Sequence, residues 1–353
     1  MFKTKSTQIG ALAVVLIIGL AVGFGIGYYA APKPEKLTPL IFTTGWTISG
    51  AGAWVLIGSA KGFFEEEGIS LTVVRGYGGA DSIGKIAAGT YDCGNGDLPT
   101  LINAMSEDPE LDVLCIAIWG EVGGPSISVL KDSGITEPTD LRGKTIVSTA
   151  FDASRTYWPV FAEKTGVINP GEDPWEVVDW QLVDSTLRTP MVMEGEADAI
   201  AGYWTSVQRE VLTLGRSLNE IQTFKYGDFF AFTGDVLVVK KSWATENPDL
   251  AKGLVKACAR SIIYASEHTD EATQELLRRE PLLEFDPEKQ YLQWTLDGFL
   301  TETALEEGMS FQDDAFLNDL IDVVVDGFDL TRRPTIDEFY TREYLPPTEE
   351  LKP

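Results

Sequence analysis

Four short stretches carry residue types that could recognise a small molecule. In the first, Trp46 is followed by Thr47, Ser49 and Gly50. An aromatic wall beside hydroxyl groups is the mix that ligand clefts use, although the same residues suit a packed Trp beside a turn. In the second, Gly94-Asn95-Gly96-Asp97, Gly96 lets backbone approach a ligand closely. Asp97 suits an amine or a ring nitrogen, or else caps a helix beginning near Pro99. The third stretch, Ser148 to Thr156, offers Thr149, Asp152, Ser154 and Arg155 at a strand-to-helix turn. Backbone N–H groups at a helix start, extended by Arg155, favour carboxylate, sulfonate or phosphate. Asp152 works against a simple anion, and Asp152 or Ser154 could serve only as caps. In the fourth, Gly202-Tyr203-Trp204-Thr205, Tyr203 and Trp204 could face Trp46 across a planar ligand. Trp119 is a further aromatic candidate.

Catalysis has fewer supports. His268 is the sole histidine, too few for a His-dependent triad or a multi-histidine metal site. No Gly-x-Ser-x-Gly element, phosphate-binding glycine loop or Cys-x-x-Cys is present. Carboxylate chemistry stays open. The expectation is no cofactor, no metal and no catalytic residue. Three cysteines, Cys93, Cys115 and Cys258, make no disulfide framework. Cys115 and Cys258 read as small buried hydrophobes. Cys93, beside the glycine-rich stretch, is the one worth testing for reactivity.

The elements that must position these stretches alternate between strand and helix, which argues α/β. Strands are expected at 40–44, 69–74, 113–119 and 127–130, with helices at 53–67, 82–88 and 99–105. A second unit begins near Leu141-Arg142-Gly143-Lys144, with strands at 145–148, 177–183 and about 199–200, and helices at 154–165, 187–194 and 204–213. Asp235 to Val239 is a β-branched strand, and mostly helix follows: 248–268, 270–279, 287–306 and 314–325. Two α/β units and a helical tail suit two lobes, the first completed by the C-terminal helices. Ligands of open sheets sit beyond the carboxyl ends of the strands, where the four stretches fall.

Charge and the N-terminus bound the partners. The chain has 353 residues and a net charge of −26. Such a surface repels phosphate backbones, so no nucleic acid is expected. Lys3 and Lys5 precede an uncharged run from Ile9 to Ala31, long enough to span a bilayer and oriented to send the body outward. An uncleaved anchor is favoured over cleavage near Tyr29-Ala30-Ala31, giving membrane attachment in an extracytoplasmic location. Residues 32–38 read as a Pro-rich tether.

The motif order then carries a resemblance. Gly58-Ser59-Ala60-Lys61-Gly62-Phe63-Phe64-Glu65-Glu66-Glu67-Gly68-Ile69, Ile86-Ala87-Ala88-Gly89-Thr90-Tyr91-Asp92-Cys93-Gly94, Asp140-Leu141-Arg142-Gly143-Lys144-Thr145-Ile146 and Met193-Glu194-Gly195-Glu196-Ala197-Asp198-Ala199 resemble, in order, elements of the nitrate/sulfonate/taurine and thiamine-precursor class of ABC-importer substrate-binding proteins. The resemblance covers most of residues 38–330. It implies the type II periplasmic-binding-protein fold: two lobes joined by a two-stranded hinge, crossing near 125–145 and 230–240. Residues 39–140 with 235–340 would form lobe 1 and residues 141–234 lobe 2, leaving 341–353 as a tail. It further implies a small-molecule solute, planar or anionic or both (pyrimidine-like, an aromatic acid or a sulfonate), captured by lobe closure. The partners would be an ABC permease and its ATPase. A carboxylate-dependent enzyme and a membrane-anchored sensor are the alternatives on the same fold.

Overall fold

A computed structural model describes residues 36–120 and 124–352. The expected anchor and most of the tether lie outside the described residues. Among those residues, no helix is long and apolar enough to cross a membrane.

The chain builds two five-stranded sheets. In the first the order is β2 (Ile69–Val74), β1 (Thr38–Thr43), β3 (Cys93–Asp97), β10 (Asp235–Val239), β4 (Leu114–Ile118). In the second it is β7 (Asp179–Leu182), β6 (Thr145–Ser148), β8 (Ala199–Tyr203), β5 (Pro125–Leu130), β9 (Ile221–Lys225). Each sheet is parallel apart from the strand that arrives from the other lobe and its pairings. β10 runs antiparallel between β3 and β4, and β5 antiparallel between β8 and β9. This is the two-lobed periplasmic-binding-protein architecture. The second sheet begins at Pro125, ahead of the expected start at Leu141, because Pro125–Leu130 pairs with β8 and β9.

The two crossings lie side by side. Trp119 N donates to Asp235 O at 2.9 Å, and Gly234 N to Gly120 O at 3.2 Å. The Thr233 hydroxyl also donates to Gly120 O. Paired backbone of this kind bends as a unit, which suits a hinge.

Apolar alternation drives the first lobe. Leu40 and Phe42 point from β1 into a core that includes Trp54 of the Ala53–Ala60 helix. The Trp54 ring meets Phe42 edge-on at 6.1 Å and Phe299 at 6.5 Å. Phe299 ends the Phe285–Phe299 helix, so a helix from late in the chain packs into this core. Cys93 to Asp97, the glycine-rich stretch that composition alone does not mark as a strand, is a fully buried central strand. Glycine makes that possible: a β-carbon on Gly94 would lie 2.4 Å from the Thr43 carbonyl oxygen. All three cysteines are buried and unpaired. Burial pushes the Cys93 thiol well up, which argues against the reactivity considered for it.

The segment after Thr331 also finds its place. Tyr340 bridges to Cys115 on the edge strand β4, and Thr341 N donates to Cys115 O at 3.1 Å. Met309 N donates to Leu351 O at 3.0 Å, and Tyr344 and Leu351 are buried in the first core. The C-terminal residues cover the edge of the first sheet, as exposed edges require.

A cleft between the lobes lined by three carboxylates and a buried arginine

The carboxyl ends of β1, β3, β6 and β8 point toward one another and enclose a cavity of about 110 Å³. Each lobe supplies part of the wall.

On the first lobe, β1 runs into Thr44, Gly45 and Trp46. The Thr44 hydroxyl donates to Trp46 O at 2.6 Å. Gly76 N donates to Trp46 O at 2.8 Å and Gly78 N to Gly45 O at 2.9 Å, so two loops hold each other beside the cavity. Gly45 has φ +77, and a β-carbon there would meet Asn95 O at 2.9 Å. At the end of β3, Asp97 does two jobs. Its Oδ1 accepts from Thr100 N at 2.9 Å and caps the Leu98–Glu107 helix, and its side chain also lines the cavity. Directly opposite Asp97 in the β3–β10 register stands Asp235. Burial, reinforced by the Asp97 charge, pushes the Asp235 carboxyl up to about 7. Burial raises Asp97 as well, against the Thr100 bond, and Asp152 adds to the rise.

On the second lobe, the turn after β6 supplies Phe151, Asp152 and Ala153. Asp152 Oδ1 accepts from Ser154 N at 2.8 Å, and Oδ2 accepts from Arg188 at 2.8 Å. Arg188 is completely buried. Its guanidinium also donates to Ala201 O at 3.2 Å, Ser206 Oγ at 3.2 Å and Glu210 Oε1 at 2.9 Å. Burial opposes this charge, and Glu210 and Asp152 more than offset it. Room for the guanidinium comes from Gly202, where a β-carbon would lie 2.6 Å from an Arg188 nitrogen.

Contacts across the cleft hold the lobes together. Arg188 sits over the Trp46 ring at 5.6 Å. Gly78 abuts Phe151, whose carbonyl oxygen would be 2.3 Å from a β-carbon. Arg209 reaches Glu288 at 3.6 Å, and the Trp204 and Trp294 rings lie 6.3 Å apart. The conformation is closed.

The residues expected from sequence divide. Trp46, Thr47, Ser49, Gly96, Asp97, Asp152 and Tyr203 line the cavity. Trp119 does not; it is buried in the first core, its indole nitrogen unpartnered. Thr149 stands outside the lining. Ser154 is fully buried and accepts Ser126 N at 3.2 Å. Arg155 turns to the aromatic pair Trp175 and Trp180, at 4.9 and 5.7 Å, which removes the cation on which an anion site was expected to rest. Trp204 packs on Trp294 and beneath Lys225 at 3.9 Å. Thr205, in the fourth stretch, also lines the cavity, whereas sequence reasoning missed Arg188, Asp235, Tyr291 and Ser206. Asp235 could have been found, since it heads a strand already assigned to the hinge. Arg188 stands one residue inside an expected helix and offers no comparable signal.

The fold and the interlobe cleft define the class: a two-lobed binding protein of the periplasmic type. The chain belongs to the NMT1/THI5-like family, whose match spans residues 52–272. It is 25% identical over 269 residues to the taurine-binding periplasmic protein of Escherichia coli strain K12, covering 75% of this chain and 72% of that one. It is 24% identical over 249 residues to the formylaminopyrimidine-binding protein of Halalkalibacterium halodurans, covering 70% and 72%. Among solved structures, the alkanesulfonate-binding protein SsuA of Xanthomonas axonopodis, bound to MOPS, superposes with a TM-score of 0.60 at 14% identity, over 88% of this chain and 99% of that one.

Proposed function

We propose that this chain is the extracytoplasmic solute-binding component of an ABC-type importer, held at the membrane by its N-terminal segment. It would capture a small organic solute between its lobes and present the closed form to a permease driven by an ATPase. The observation that carries the reading is the cleft itself. Its walls come from both lobes, so a ligand touching both sides would shift the population toward the closed form. Family membership and the taurine- and formylaminopyrimidine-binding relatives support the importer role.

The role is capture without chemistry. Trp46, Phe151, Tyr203 and Tyr291 around the cavity support a planar solute, since aromatic faces favour flat partners. An anionic solute has less support: among the described lining residues, the cation Arg188 is already held by Asp152 and Glu210.

A thermal-shift screen of the full chain against pyrimidines, aromatic acids, sulfonates, amino acids and polyamines tests this. A solute at 100 times its dissociation constant adds about 2.7 kcal/mol. The expected hit raises Tm and is recovered chemically unchanged; a solute that comes back altered would instead point to an enzyme.

A further inference from the structure

The first-lobe wall of the cleft brings two carboxylates and an unpartnered amide oxygen together. Asn95 and Asp97 are two residues apart on β3, so their side chains share one face. Asn95 is 5% exposed, lines the cavity, and its side-chain oxygen has no hydrogen-bond partner. Asp97 is 3% exposed. Its Oδ1 is taken by the helix cap, and its Oδ2 lies against Gly79, 1.9 Å from where a β-carbon would stand. Asp235 faces Asp97 from the neighbouring strand. Among the described residues neither carboxylate pairs with a cation. Like charges directly opposite on adjacent strands are destabilising, and a buried acceptor left without a donor keeps its full desolvation penalty.

We propose that the cleft takes an organic cation, a solute whose positive charge is carried by N–H donors such as an ammonium or amidinium, seated against Asn95, Asp97 and Asp235. This rests on the solute-binding reading above and narrows it. A donor-bearing cation supplies what these three groups lack: a hydrogen for the Asn95 oxygen and a positive charge beside the Asp97 and Asp235 carboxylates. Charge-assisted bonds of this kind are the strong ones. Trp46, Tyr203 and Tyr291 present rings around the same space, and aromatic faces attract cations. Arg188 competes little, because its two terminal nitrogens already donate to Asp152, Ala201, Ser206 and Glu210 and its charge is matched by two carboxylates, although its Nε–H has no partner. The net charge of −26 would draw a cation toward the molecule.

The test is isothermal titration of the full chain with two probe sets: benzamidine, agmatine and putrescine as cations, methanesulfonate and nitrate as anions. D97N and D235N are titrated alongside. In D97N the amide oxygen can still accept Thr100 N, so the helix cap survives, and a circular-dichroism melt verifies that both variants fold. The expected result is binding of a cationic probe, weakened about tenfold or more in each variant, as loss of a charge-assisted bond implies. Binding of an anion that D97N or D235N leaves unchanged or tightens would overturn the cation assignment while leaving solute capture in place. Failure of every cation to bind at millimolar concentration would overturn it too. If no probe of either sign binds and the broader panel also gives no hit, solute capture falls with it.

Discussion

Arg209 of the second lobe faces Glu288 of the first at 3.6 Å, and Glu288 uses its other oxygen to accept Gly50 N at 2.5 Å. The pair ties the Trp204–Thr213 helix to the Phe285–Phe299 helix across the mouth of the cleft. Arg209 also lies 5.8 Å from the Tyr291 ring centre. Burial raises the Glu288 carboxyl, with Arg209 working against that rise. The contact joins the two lobes, so its loss is expected to act on the open–closed equilibrium. Glu288 is buried and Arg209 nearly so, so leaving this carboxylate without its cation costs about 3 kcal/mol in the closed form. R209A is therefore expected to weaken solute affinity tenfold or more, through the smaller closed fraction, and to lower Tm of the unliganded protein less than it lowers Tm of the complex. Titration calorimetry beside a thermal melt checks both.

Arg188 is a different kind of residue, a structural ion in the second lobe. Removing one partner of a buried, hydrogen-bonded charge typically costs about 3–5 kcal/mol. R188M would leave Asp152 and Glu210 without the cation between them and is expected to lose stability of that order in urea unfolding. R188K is expected to rescue only part of the loss, since an ammonium cannot reproduce the fork that spans Asp152 and Glu210.

Gly202 tests the same assembly from its other side. A β-carbon there would stand 2.6 Å from an Arg188 nitrogen and 3.2 Å from Val207. The arginine end is normally flexible, but here it is locked by its acceptors. G202A is expected to cost about 1–3 kcal/mol, the usual range for overpacking, and to widen the cleft. A urea melt measures the loss.

The carboxylates of the cleft should lower stability as pH rises from the acid side. Asp235 has a carboxyl pushed up to about 7 by burial and by Asp97, whereas an unfolded Asp titrates near 3.9. The folded state therefore holds a proton that the unfolded state has released. The contribution is fully present below the unfolded value and is lost as pH climbs through the folded one. Asp97 and Asp152, both raised mainly by burial, act in the same direction. D235N is expected to flatten the slope of stability between about pH 4 and 7 and to raise Tm at about pH 8, where the buried charge it removes is fully formed. Differential scanning calorimetry across that window decides it. A slope in D235N equal to the parent's would contradict the assignment.

Much of the fold was legible because period and punctuation agree. A helix from Ala53 and a stop at Gly68 before β2 could be read from apolar spacing and glycine stops, but the expected single helix over 53–67 is broken at Gly62 (φ +79) into Ala53–Ala60 and Phe63–Glu66. The β10 run of valines could be read as well. What could not be read was long-range. Cys93 to Asp97 looks like a loop because glycines disfavour strands locally, and only the approach of Thr43 makes them necessary. Pro125–Leu130 gave a strand signal but no clue to which sheet it would join. In the site, Trp46, Asp97, Asp152 and Tyr203 sit at strand ends, where position alone points to the cleft. Arg155 and Trp204 had the right chemistry at the right turns, yet their side chains face Trp175 and Trp294. Direction of a side chain at a helix start depends on its neighbours in space, and those neighbours are distant in sequence.

If solute binds between the lobes and closes them, the molecule must become more compact as it binds. Small-angle X-ray scattering of the full chain, with and without the tightest solute from the screen, measures this. The expected outcome is a more open unliganded protein and a smaller radius of gyration on binding, with D97N requiring more solute to reach the same endpoint. A solute that binds tightly without changing the scattering, and whose affinity is indifferent to Asp97, would contradict capture by closure of the lobes.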